Sequence, residues 1–235
     1  TGELNNNGII STGMSNLGVY NDGTFNMNGG SIVSNGLASV GIYSETGNTD
    51  TNLKGGSIRA ENGGIGLYAG NGSVMNLHEG LNLSSGNKGL LFYNYANYTV
   101  SGKYDLTGAV GASVENGGSA FYVKEGTSIT DYLNNSFTGS GKLELTMDSG
   151  SKLYILEGTG TTLSLSSLDG MVNPGSSLTS NVIISSASAS DYIPLSMNKG
   201  ALILDRNVNL DSSSELYKRS EFSSVKVDLT SGNSI

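Results

Sequence analysis

Apolar and polar residues alternate in a tetrapeptide that returns five times along the first half of the chain. Leu17-Gly18-Val19-Tyr20 comes back as Val40-Gly41-Ile42-Tyr43, Ile65-Gly66-Leu67-Tyr68, Leu90-Leu91-Phe92-Tyr93 and Ser119-Ala120-Phe121-Tyr122. The tyrosines lie 23, 25, 25 and 29 residues apart. A near-constant return marks a repeat architecture, in which each unit buries its apolar face only by stacking on its neighbours. Alternation with a period of two predicts a strand. The first and third residues are apolar in four of the five copies, so they are expected inside. The second residue and the tyrosine are expected outside.

Two further columns keep the same phase. Phe25-Asn26-Met27, Thr51-Asn52-Leu53, Met75-Asn76-Leu77 and Tyr104-Asp105-Leu106 each set a polar amide or acid between mostly apolar partners. Ile10, Ile32, Ile58, Leu83 and Ala112 precede the tyrosines by 10 or 11 residues. Gly29-Gly30 and Gly55-Gly56 enter that second strand, and Asn35-Gly36, Asn62-Gly63 and Asn116-Gly117 follow it. These are corner residues, because Gly and Asn accept the positive φ that a tight turn needs. Three short strands and three corners per repeat of about 25 residues predict an all-β, right-handed parallel β-helix. A left-handed helix runs on a shorter and stricter repeat.

The texture changes near residue 126, and 29 of the 35 glycines precede residue 151. Residues 1–125 are therefore read as regular rungs, and residues 126–235 as a less regular continuation of one solenoid. Alternation predicts strands at Leu143–Met147, Leu153–Ile155, Leu163–Leu165, Val182–Ile184, Ala201–Leu204, Val208–Leu210 and Val225–Leu229. Turns are expected at Asp148–Gly150 and Glu157-Gly158, and loops at Asn173-Pro174-Gly175 and Ser185–Asp191.

Composition narrows the function classes. A net charge of −8, with charged residues at 14 %, leaves no basic patch for phosphates or anionic lipid. Nucleic acid is excluded as a partner on that ground. The chain has no cysteine, which removes thiol catalysis and suits passage through an oxidising compartment. No stretch approaches the roughly 20 apolar residues of a membrane-spanning helix. The chain opens in mid-pattern at Thr1-Gly2-Glu3-Leu4, without a signal peptide, and ends in mid-pattern at Ile235, so a piece of something longer is expected.

The runs Asn28-Gly29-Gly30-Ser31-Ile32, Asn35-Gly36…Gly41-Ile42-Tyr43 and Gly150-Ser151-Lys152-Leu153-Tyr154-Ile155-Leu156, in a Gly/Asn/Ser-rich chain, carry a resemblance. The chain resembles the passenger region of large type V autotransporter adhesins, most of all the fusobacterial outer-membrane adhesins. The resemblance covers the whole chain in texture, and residues 10–122 in a repeat that aligns. It implies a secreted passenger on the surface of a Gram-negative bacterium. It also implies a right-handed β-helix, and a C-terminal membrane barrel outside this stretch as the one link to the membrane. The expected partners are proteins or glycans of host cells or other bacteria, and the expected state is a monomer. The alternatives are a β-helical polysaccharide lyase or hydrolase, and a trimeric phage-type receptor-binding fibre.

Catalysis on such a fold needs carboxylates converging on one outer face, with an Arg, Lys or His beside them. The acids of the regular part are scattered: Asp22, Glu45, Asp50, Glu61, Glu79, Asp105 and Glu115. Asp22 and Glu45 each follow a tyrosine by two and are expected on adjacent rungs, a pairing that Gly70 and Tyr95 do not continue. The single histidine, His78, forms no His-based metal site alone. The chain is read as a non-enzyme with no cofactor, no metal and no catalytic residue. The candidate binding residues are Tyr20, Tyr43, Tyr68, Tyr93 and Tyr122. An exposed aromatic row can stack on sugars or centre a protein interface. It can equally be a cross-strand ladder that stabilises the sheet, at about 0.2–1 kcal/mol per pair, and touches no ligand. The Asn26, Asn52, Asn76 and Asp105 row is expected to bridge rungs through its side chains. Asn-X-Ser/Thr triplets at Asn71, Asn82, Asn97 and Asn134 carry no weight in a bacterial passenger.

Overall fold

A computed structural model describes residues 3–47, 50–94, 101–123, 129–156, 162–164, 177–179, 181–186, 193–197, 200–204, 220–222 and 225–229. Over these residues the chain is a parallel β-helix with three long sheets and one short one. The first sheet joins Glu3–Asn6, Thr24–Met27, Asp50–Leu53, Val74–His78, Lys103–Thr107 and Phe137–Gly139. The second runs from Ile9–Thr12 through Ser31–Asn35, Gly56–Glu61, Leu81–Ser85, Ala109–Val114 and Lys142–Met147 to Val182–Ser186. Ser177–Thr179 closes that end antiparallel. The third sheet holds the tyrosine strands Leu17–Asn21, Val40–Ser44, Ile65–Ala69, Leu90–Asn94 and Ser119–Val123. It continues through Lys152–Leu156, Ile193–Met197 and Ser220–Phe222. A small parallel sheet of Thr162–Ser164, Gly200–Leu204 and Val225–Leu229 completes the order. Ser185 and Ser186 therefore end a strand rather than begin a loop. Val208–Leu210, Asn173–Gly175, Glu157-Gly158, Tyr95 and Asn97 lie outside the described residues.

The register is that of like residues stacked on like. Ile10 pairs with Ile32, Ile32 with Ile58, Ile58 with Leu83, and Leu83 with Ala112, and the column goes on to Leu145 and Ile184. Val19, Ile42, Leu67, Phe92, Phe121 and Tyr154 form the inner column of the third sheet, each 5 % exposed or less. Each fully buried side chain of this size contributes about 1.5–3 kcal/mol, which sets the stack against the entropy of ordering the rungs. The core changes character along the axis. Early rungs carry Asn21, Ser34, Ser44 and Thr51 inside, tied by Asn21 Nδ2 to Thr51 Oγ1 at 2.8 Å and Thr51 Oγ1 to Ser44 Oγ at 3.1 Å. The first-sheet inner column passes from Phe25 and Thr51 through Met75 to Tyr104 and Phe137, so rings gather in the later rungs. Phe92 meets Tyr104, Phe121 and Phe137 at centroid distances of 5.0, 5.7 and 5.3 Å.

Two repeat positions differ in orientation from expectation. Leu91 and Ala120, expected outside with the tyrosines, are 1 % and 0 % exposed and belong to the core. Leu17, expected inside, is 47 % exposed, and Val40 and Leu90 are buried outside the core cluster. The ladder pairs Leu17 with Val40 and Val19 with Ile42 but skips Gly18 and Gly41. The strand bends there as it leaves its corner, so the second and third residues both turn inward. A Cβ on Gly41 would stand 2.7 Å from Gly66 O of the next rung and 3.3 Å from Ile32 Cγ2.

A short helix, Ile129–Ser136, also interrupts the strands. Its Tyr132, Leu133 and Ser136 are buried, and Ser136 Oγ accepts from Asn94 Nδ2 at 2.7 Å. Asn134 is exposed on it. Pairing carries on beyond it, from Val110 to Leu143 and from Phe121 to Tyr154.

Candidate functional site

The third sheet aims the tyrosines outward because the residues on either side of each one point in. Val19 and Asn21 flank Tyr20, and Ile42 and Ser44 flank Tyr43, all four buried. Tyr20, Tyr43, Tyr68 and Tyr93 are direct ladder partners in turn. Successive ring centroids from Tyr20 to Tyr122 lie 5.5, 4.7, 4.6 and 5.0 Å apart, close to the strand spacing of a sheet. All five predicted tyrosines are thus one continuous stack. Tyr20 is 53 % exposed, and the other four are half-buried between their neighbours. The column then loses its rings. Tyr122 pairs with Ile155, Ile155 with Ser196, and Ser196 with Glu221, while Tyr154 takes the inner position against Phe121.

At the exposed end of the stack, the Tyr20 hydroxyl donates to Glu45 Oε2. Glu45 stands one rung from Asp22, as expected, and its carboxylate turns to Tyr20. The carboxylate acceptor raises the Tyr20 pKa from 10.0 to about 12, and the donated bond lowers that of Glu45. Tyr43 is also raised, by burial first and by Glu45 second. The sign follows for each partner. A raised phenol contributes stability below pH 10.0 that is lost as pH climbs through about 12. A lowered carboxyl contributes above the ordinary carboxylate range, and loses that contribution as pH falls through its folded value. Phenolate absorbance should therefore show a tyrosine ionising near pH 12. In Glu45→Gln that ionisation should return toward the ordinary value. An unchanged alkaline titration curve would refute the contact.

The asparagine row bridges rungs as expected. Asn52 Nδ2 donates to Asn26 Oδ1 at 3.0 Å, Asn76 Nδ2 donates to Asn52 Oδ1 at 2.9 Å, and Thr138 Oγ1 donates to Asp105 Oδ2 at 3.1 Å. A second amide ladder runs up the corner through Asn35, Asn62 and Asn87. Both ladders spend their side chains on each other.

The scattered acids do not all stay scattered. Arg59 grips Glu115 with both terminal guanidinium nitrogens at 2.6 Å, bonds Glu61 through Nε at 2.6 Å and reaches Ser84 Oγ at 3.2 Å. The fork raises the Arg59 pKa and lowers that of Glu115. Two rung spacings, about 10 Å, separate the strands of Arg59 and Glu115. They meet because the intervening rung offers Gly86, where a Cβ would stand 3.0 Å from Glu115 Oε2. The sequence carried this signal. Counted from Ile58 and Ala112 of one inner column, Arg59 is at the first position after it, and Glu61 and Glu115 are at the third. All three therefore face out from the second sheet. A carboxylate clamped in its ionised form by a guanidinium is a poor general acid, since that role needs a proton held near neutral pH. His78 ends a first-sheet strand and is half-buried beside the exposed Glu79. No group of three or more His, Asp or Glu side chains placed to hold a metal ion occurs among the described residues.

Fold and surface together define a parallel β-helix solenoid with an external aromatic ladder. No family model, curated protein or solved structure matches the chain. Among the described residues, no helix is long and apolar enough to cross a membrane.

Proposed function

We propose that this chain is a stretch of a bacterial surface adhesin passenger, of the type V autotransporter kind, whose tyrosine column is a contact face. One observation carries the reading: five stacked tyrosines on one side of the solenoid, Tyr20 exposed and the other four half-buried. The column spans four rung spacings, about 20 Å. That length fits a protein patch or an extended glycan better than a small molecule, which favours a deep concave site. Tyrosine suits contact because it presents a large rigid face and a polar tip. The resemblance in the Gly/Asn/Ser texture supports placement on the outside of a Gram-negative cell, with the solenoid as stalk and its side as binding surface.

The test removes two central rings. Tyr43→Ser with Tyr68→Ser leaves Ile42, Ser44, Leu67 and Ala69 in place. The double variant should keep the β circular dichroism spectrum. It should lose only a few kcal/mol, since each cross-strand ring pair contributes about 0.2–1 kcal/mol. Beads coated with the parent chain should adhere to epithelial cells or to other bacteria, and beads coated with the variant should not. Undiminished adhesion by the folded variant would leave the column as scaffolding and overturn the proposal.

A further inference from the structure

The outer face of the second sheet carries a trough that no tyrosine lines. Its volume is about 540 Å³, within the range of ligand sites, and it is open along one side. It extends from Ser57 to Ser185 across five strands, four rung spacings or about 20 Å. Two outward rows build it. One runs Ser57, Asn82, Gly111, Glu144, and the other runs Ser84, Ser113, Thr146, Ser185, with Leu83 and Ala112 also lining the trough. The inner column of Ile58, Leu83, Ala112 and Leu145 lies between them, so the rows are parallel rails of small polar side chains. Gly111 makes the notch. It is exposed, and a Cβ there would meet no atom within 4 Å. The Arg59–Glu115 fork borders the same trough through Ser84.

We propose that this trough binds an uncharged oligosaccharide, seated over Gly111 between Asn82, Ser84, Ser113, Thr146 and Glu144. Three features select that chemistry. The strands under the trough have spent their backbone groups on the parallel ladder, so a peptide cannot add as a further strand. No aromatic side chain lines the trough to anchor a protein. What is presented is hydroxyls, an amide and a carboxylate repeating at the rung spacing. That pattern suits a ligand which is itself a chain of hydroxyls, each able to donate and accept. Glu144 is exposed and accepts from sugar hydroxyls. Arg59 is already matched by Glu61 and Glu115, so the trough keeps an acidic balance that disfavours uronic acids and sulfated chains. This site is separate from the tyrosine column, on a different sheet.

The test fills the notch. Gly111→Tyr puts a good strand former into open space at a position without positive φ, so the variant should fold as the parent does. Surface plasmon resonance would be run against immobilised neutral tetrasaccharides of glucose, galactose, mannose and N-acetylglucosamine, with galacturonate oligomers alongside. The parent should bind at least one neutral oligosaccharide. Gly111→Tyr should weaken that binding by about tenfold or more, the loss of one well-made polar contact region. Glu144→Gln should weaken it by a smaller factor, and the Tyr43→Ser, Tyr68→Ser variant should leave it unchanged. Four results would each overturn the proposal: no neutral binding at millimolar ligand, binding confined to galacturonate, binding undiminished in folded Gly111→Tyr, or binding abolished by the tyrosine double variant instead.

Discussion

Leu67→Asp should lower the stability of the solenoid by at least about 3 kcal/mol, read as a fall in the urea midpoint. Leu67 is 1 % exposed and stands between Ile42 below and Phe92 above. A carboxylate there has no cation along its column and is shut off from solvent. It must either stay charged at a high desolvation cost or take up a proton. Trimming the same side chain in Leu67→Ala removes only packing and costs about 2–5 kcal/mol, depending on how far the rungs collapse. The aspartate variant should therefore recover part of its loss at low pH, and the alanine variant should not. Equal midpoints for Leu67→Asp and the parent would refute the inward assignment of the whole third-sheet column.

The second large effect is expected from a residue with no side chain at all. Gly89 closes a four-residue corner, with its N–H donating to Gly86 O at 2.8 Å. A Cβ at Gly89 would stand 2.0 Å from Ala60 O and 2.4 Å from Ala60 C, both backbone atoms of the preceding rung. Backbone held in a ladder cannot step aside as a side-chain tip can. Gly89→Val should therefore force the two rungs apart and cost at the upper end of overpacking penalties, about 3 kcal/mol or more. The equivalent corner positions are Gly64 and Gly118, where a Cβ would stand 2.5 and 2.6 Å from backbone oxygens, and Ser39 and Ser151, whose hydroxyls bond back into their own turns. Gly111→Val is the control, since the open space beside Gly111 lets a β-branched residue replace glycine at little cost. Thermal unfolding followed by circular dichroism distinguishes them. Matching melting temperatures for the two valine variants would refute the crowded corner.

The residues that could be read in advance were those whose neighbours in space are their own repeats. The isoleucine column, the asparagine row and the tyrosine stack each follow from counting about 25 residues along the chain, because a parallel ladder converts period into contact. The inward turn of Leu91 and Ala120 could not be read that way. Period two assigns faces only where the strand is straight, and these residues sit where it bends. In the first three copies that position is glycine, so no side chain revealed its direction. The helix Ile129–Ser136 is eight residues long, too short for a periodic signal to stand out, although Tyr132, Leu133 and Ser136 share its buried side. The Arg59–Glu115 fork joins side chains two rungs apart across a glycine. Recognising it requires the outward parity of both strands and the empty position between them.

Stacking like on like leaves the molecule indifferent to how many times the motif is copied. Tyr43 sits between two tyrosines, Ile32 between two isoleucines, and Asn52 between two asparagines. Duplicating the segment from one tyrosine to the next would present the tyrosine, isoleucine and asparagine columns with neighbours like those they already have. Deleting that segment would leave the same columns matched. The reach of such a rod is thus set by gene length rather than by redesign, at about 4.8 Å per added turn. Each added turn also brings one more ring to the aromatic side, so the event that lengthens the rod extends its tyrosine ladder with it.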